Sequence, residues 1–88
     1  MIKKVLILTK TVCYVEKEWL DADRRIEKLS KEKTEFVVLD ITHEYEEDIA
    51  EIGVKWGKAV AYGDIPRFKN EYSDFILDTS DENWWLNQ

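Results

Sequence analysis

Two uninterrupted apolar runs, Val5-Leu6-Ile7-Leu8 and Phe36-Val37-Val38-Leu39, constrain this chain more than any other feature. A strand with one face on a core and one in water alternates apolar and polar residues; a strand covered on both faces has no polar face to show. Each run is too short for a helix and the second is rich in β-branched side chains, so each reads as a strand with packing layers above and below. With 88 residues the chain is one domain, residues 1–88, built round one core. A chain of this size buries only about 60 to 65% of the surface that its unfolded form exposes.

Between the runs, Val15, Trp19, Ala22, Ile26 and Leu29 recur in steps of four and three with charges between them. That spacing predicts an amphipathic helix from Val15 to about Lys31–Lys33, with Thr11 as a cap and Trp19 in the core. A right-handed crossover then makes the two strands parallel neighbours. Tyr45, Ile49 and Ile52 predict a short second helix stopped by Gly53, and Lys58-Ala59-Val60-Ala61-Tyr62 a third strand. Tyr62 to Pro66 reads as a turn, Ser73 to Thr79 as a fourth strand antiparallel to the third, and Ser80 as the start of a terminal helical turn. The expected architecture is α/β, a four-stranded mixed sheet in the order βαβαββα with helices on its faces. Trp84 and Trp85 are adjacent, so at most one is expected to point fully inward.

Nineteen acidic against thirteen basic residues give a net charge of −6, which opposes nucleic acid and anionic lipid and favours basic partners. The basic residues interleave with the acids through the first helix, which speaks against mimicry of nucleic acid. No run approaches the ~20 apolar residues of a membrane span, and the opening Met-Ile-Lys-Lys leads straight into a strand without a cleavage site, so a cytoplasmic protein is expected. One cysteine excludes an internal disulfide and fits a reducing compartment. One histidine, His43, beside Glu44 and Glu46 is a poor metal site, and no metal is expected. Three glycines cannot build a phosphate-cradling loop.

The lone cysteine lies in Leu8-Thr9-Lys10-Thr11-Val12-Cys13-Tyr14-Val15-Glu16, where a strand is expected to meet a helix. With the element order, this segment resembles the thioredoxin-like fold and, within it, the glutaredoxins, over nearly the whole chain. The resemblance places Lys10 three residues before the active-site Cys13, and Gly53-Val54 as the pair preceding the loop of the cis-proline. It departs from that family at three points: Glu16 holds the place of the resolving cysteine, Lys58 that of the cis-proline, and the glycine pair after the fourth strand is missing. It therefore implies a monothiol oxidoreductase acting on glutathione mixed disulfides, with glutathione as cofactor. Cys13 would be the nucleophile and Lys10 the thiolate stabiliser, a thiol at a helix start beside a lysine having a lowered pKa. Tyr14 and Glu16 beside the thiol, and Lys55, exposed Trp56 and Lys58 in the facing loop, would line the groove for substrate or partner. Glu16, one turn along the expected helix, would oppose the thiolate.

A second reading keeps the fold and drops the chemistry. A catalytically degenerate domain with exposed tryptophans, at Trp56 and the terminal pair, and an acidic second helix would bind a protein partner, as a small acidic inhibitor or adaptor such as a mobile element encodes.

Overall fold

The computed structural model describes residues 1–86. Its elements are β1 (Val5–Thr9), β2 (Cys13–Glu16), α1 (Trp19–Lys31), β3 (Phe36–Asp40), α2 (Glu46–Tyr62) and α3 (Ile65–Glu71). The sheet has three strands in the order β2-β1-β3, and both flanking strands run antiparallel to β1. This replaces the expected four-stranded mixed sheet. β2 and β3 are parallel to each other but not adjacent; α1 carries the chain from one to the other past β1, so the crossover starts one strand later than the apolar spacing suggests.

The cause lies at the end of β1. Thr9 Oγ1 accepts the Val12 and Thr11 amides at 2.9 and 3.3 Å and donates to the Val12 carbonyl at 2.8 Å, while the Thr9 amide also donates to that carbonyl at 2.9 Å. A hydroxyl that satisfies the backbone locally favours a turn over a helix start. The chain therefore reverses, and residues 13–16 pair with β1 in the register Val5–Glu16, Leu6–Val15, Ile7–Tyr14 and Leu8–Cys13. Val15, expected on the helix stripe, and Trp19, expected in the core, are both exposed, at 46% and 41%.

α2 runs through Gly53, which was expected to stop a helix, and on through Gly57, so residues 58–62, expected as a strand, are helical. Ile49, Ile52, Trp56, Ala59 and Val60 continue one stripe in steps of three and four, and their burial outweighs the ~1 kcal/mol that each glycine costs a helix. The helix ends where Gly63 takes a left-handed conformation (φ 68°), with the Asp64 amide reaching back to the Ala59 carbonyl at 2.8 Å. Pro66 then lies in the first turn of α3, where its missing N–H leaves no helical bond unmade. The expected fourth strand is a single antiparallel bridge between Ile76 and Leu39, flanked by bonds from Asp40 N–H to the Phe75 carbonyl (2.8 Å) and from Leu77 N–H to the Val38 carbonyl (2.9 Å). Residues 79–86 form turns in place of a terminal helix.

Both faces of β1 and β3 are covered, as the two apolar runs demand. Val5, Ile7 and Val38 pack with Ala22, Ile26 and Leu29 of α1, with Ile2 and Leu77, and with Trp84 and Trp85, which are both buried. The two indoles meet edge to face at 5.4 Å, so both fit inward where only one was expected. On the opposite face Leu6, Leu8, Val37 and Leu39 pack with Ile52, Trp56 and Ala59 of α2 and Phe68 of α3.

Candidate functional site

The residues that the sequence nominates do not form one cleft. Cys13 opens the edge strand β2 instead of a helix, and its thiol is exposed. The one resolved influence on it is partial burial, which pushes its pKa up. Lys10, in the hairpin turn, pairs with Glu35 at 3.4 Å. Tyr14 lies beneath the Arg25 guanidinium, 3.8 Å from the ring centre, and the same guanidinium donates to Glu16 at 2.8 Å. Tyr14 and Glu16 thus hold β2 to α1 on the side of the sheet opposite the thiol.

Trp56, expected exposed, is 4% exposed and structural. Its indole N–H donates to the Thr9 carbonyl at 2.8 Å and its ring meets Phe68 edge to face at 5.0 Å, which fixes the hairpin tip to α2. Lys55 donates to Glu71 of α3 at 2.9 Å and lies 3.7 Å from Glu51; its contacts with Glu71 and Tyr72 push its pKa well up. Lys55 and Lys58 line a groove of about 320 Å³ between α2 and α3, together with Arg67. Cys13 does not line that groove. Among the described residues no group of three or more His, Cys, Asp or Glu side chains could hold a metal ion, and no helix is long and apolar enough to cross a membrane.

What the structure does assemble is an open sheet edge. In an antiparallel pair, directly opposed residues alternate between exchanging hydrogen bonds and turning their backbone groups away. The Thr9–Val12 bond sets the phase: Tyr14 and Glu16 bond to β1, and Cys13 and Val15 present N–H and C=O to the free edge. Their side chains lie on the α2 side, where no helix covers β2. α2 packs on β1 and is held towards α3 by the Lys55–Glu71 bond. Gly53 and Gly57 lie on the helix flank turned away from α3, and nothing stands within 4 Å of a Cβ at either position. Exposed Cys13 and Val15 therefore border an uncovered strip of sheet. Sequence reading missed this edge because it assigned residues 13–16 to a helix; the β-branched pair Val12 and Val15 around Tyr14 was the available signal.

Compared with known protein families, curated proteins and solved structures, the chain matches none.

Proposed function

We propose that this protein is a protein-binding module that takes up an extended segment of a partner as an added strand beside β2. The observation that carries this reading is the outward-facing backbone of Cys13 and Val15 next to their uncovered side chains. Main-chain bonds would supply affinity, and alternate side chains of the guest strand would fill the strip above β2 and beside Gly53 and Gly57. The net charge of −6 and the acidic first turn of α2, Glu46, Glu47 and Asp48, favour a guest segment flanked by lysine or arginine. Such a module can serve as an inhibitor or an adaptor.

Hydrogen exchange tests this at single-residue level. In the free protein the amides of Tyr14 and Glu16 exchange slowly and those of Cys13 and Val15 fast. A synthetic peptide of alternating valine and threonine between lysines should protect Cys13 and Val15. Val15→Pro removes an outward N–H without breaking a bond to β1, so it should leave the fold intact and abolish that protection. Protection of Cys13 and Val15 before any peptide is added, or unchanged peptide binding by Val15→Pro, would overturn the reading.

The monothiol reading rests on one feature, the exposed Cys13 thiol. Neither a helix start nor a resolved effect of Lys10 supports a lowered pKa there. Reduction of a glutathione mixed disulfide that is lost in Cys13→Ser would restore it; turnover absent from the wild type would end it.

A further inference from the structure

The geometry points to a second binding site at the end of the sheet where the hairpin turn, the start of β3, α2 and α3 converge, suited to a compact organic carboxylate with a flat apolar body. The cavity there measures about 360 Å³ and is lined by Lys10, Thr34, Glu35, Phe36, Val37, Trp56, Ile65 and Lys69. That volume lies within the range of small-molecule sites, which combine an apolar lining with a few convergent polar groups. Val37, Trp56 and Ile65 give the apolar lining, and the bond from Trp56 to the Thr9 carbonyl holds it in place.

The polar groups at this cavity are mostly donors. Lys69 has no ion pair or hydrogen bond among the described residues, and Lys10 has only an exposed pair with Glu35, of the kind that contributes little and exchanges readily. The Thr34 hydroxyl is also without a partner among the described residues. The backbone of Phe36 adds a further donor. β1 exchanges bonds with β3 through Val37 and Leu39, so Phe36, like Val38 and Asp40, turns its amide away from β1. Val38 and Asp40 meet the segment around Ile76, and that pairing stops one rung short of Phe36. A smaller cavity of about 160 Å³ at that gap shares Phe36, Val37 and Lys69 with the first. Two ammonium groups, a hydroxyl and a free amide face one carboxylate, Glu35, in a molecule that is acidic overall. A single carboxylate head fits between the lysines while its apolar body covers Val37 and Trp56.

The probe is 2-naphthoate, with the uncharged 2-naphthamide as its isostere, titrated into the full chain and followed by amide chemical shifts. Saturable shifts are expected at Lys10, Thr34, Phe36 and Lys69, with a Kd on the order of 0.1–1 mM for a ligand of this size. The amide should bind about tenfold more weakly, and so should Lys69→Gln, a substitution on an exposed side chain that leaves the fold unchanged. Equal binding of acid and amide, undiminished binding by Lys69→Gln, or saturable shifts absent from these residues would each overturn the assignment. None of the lining residues belongs to the open edge of β2, so Val15→Pro should bind 2-naphthoate as the wild type does, which separates this site from strand docking.

Discussion

Four tryptophans allow a sharp test of what holds this fold, because two of the buried indole N–H groups have opposite circumstances. Trp56 donates to the Thr9 carbonyl at 2.8 Å; the Trp84 N–H is buried with no hydrogen-bond partner among the described residues. Replacing either by phenylalanine keeps an aromatic ring and removes part of the indole volume, at a cost of about 1 kcal/mol for imperfect packing. At Trp56 the change also strands the Thr9 carbonyl, since the Val12 amide is already bound by the Thr9 hydroxyl. A buried acceptor left without a donor costs about 1–3 kcal/mol, so Trp56→Phe should lose about 2–4 kcal/mol in total. At Trp84 the change removes a donor that was desolvated without compensation, which offsets the packing loss, so Trp84→Phe should lie within about 1 kcal/mol of wild type. A domain of this length has roughly 4–13 kcal/mol of stability to lose, and 1 kcal/mol moves its Tm by about 4–8 °C. Urea unfolding followed by far-UV circular dichroism, which does not depend on which indole is removed, gives both values. If Trp84→Phe proved as costly as Trp56→Phe, the tie between indole and hairpin would not be what separates the two sites.

Three further outcomes follow from single observations. Gly53→Ala and Gly57→Ala should each raise stability by about 0.5–1 kcal/mol in the same unfolding assay, since the helix gains and nothing stands in the way of the new methyl. Burial raises the Cys13 pKa, so its alkylation rate should rise only above the pH of an ordinary thiol; because the folded state holds the proton longer, stability is full below the ordinary thiol pKa and declines as pH climbs through the raised value. Asp78 accepts from the Ser80 amide at 3.1 Å and the Ser80 hydroxyl at 2.6 Å, which lowers its pKa. Its contribution is present above the ordinary carboxylate range and lost as pH falls through the lowered value, and NMR titration of Ser80→Ala should find Asp78 nearer the ordinary range.

The two apolar runs made β1, β3 and the layers on both faces legible, since no other placement hides two runs of four consecutive apolar side chains. The end of α1 was legible too, from Leu29 and the lysines near its last turn. What the pattern concealed was local competition. Val15 falls in phase with Ala22, Ile26 and Leu29, yet a helix capped at Thr11 would have to forgo the bonds that Thr9 makes to residues 11 and 12. Gly53 imitates a stop, and only the recurrence of Trp56 and Ala59 on the stripe of Ile52 reveals that the helix continues. Trp56 looked exposed because lysines flank it, but on a helix its neighbours in sequence point elsewhere. The site was the least legible part. An open edge is made of backbone groups, and nothing in the residue types of β2 states which strand will be left without a neighbour.

The same arithmetic explains why that edge is open. α1 and the segment from Leu77 to Trp85 are used on one face, and α2 with α3 on the other. α3 is short and lies near the start of β3, so α2 buries Phe68 and keeps the Lys55–Glu71 bond by lying over β1 and towards α3. β2 is then left with one covered face, that of Tyr14 and Glu16, and one bare face, that of Cys13 and Val15. Two glycines on the bare flank of α2 give the helix nothing in return for their conformational freedom, since among the described residues nothing stands within 4 Å of a Cβ at either position. A guest strand beside β2 would, because its side chains need a helix surface without Cβ atoms to come close. Alanine at either position therefore separates two accounts: it should strengthen the fold in every case, and weaken uptake of the lysine-flanked peptide only where the guest reaches that flank.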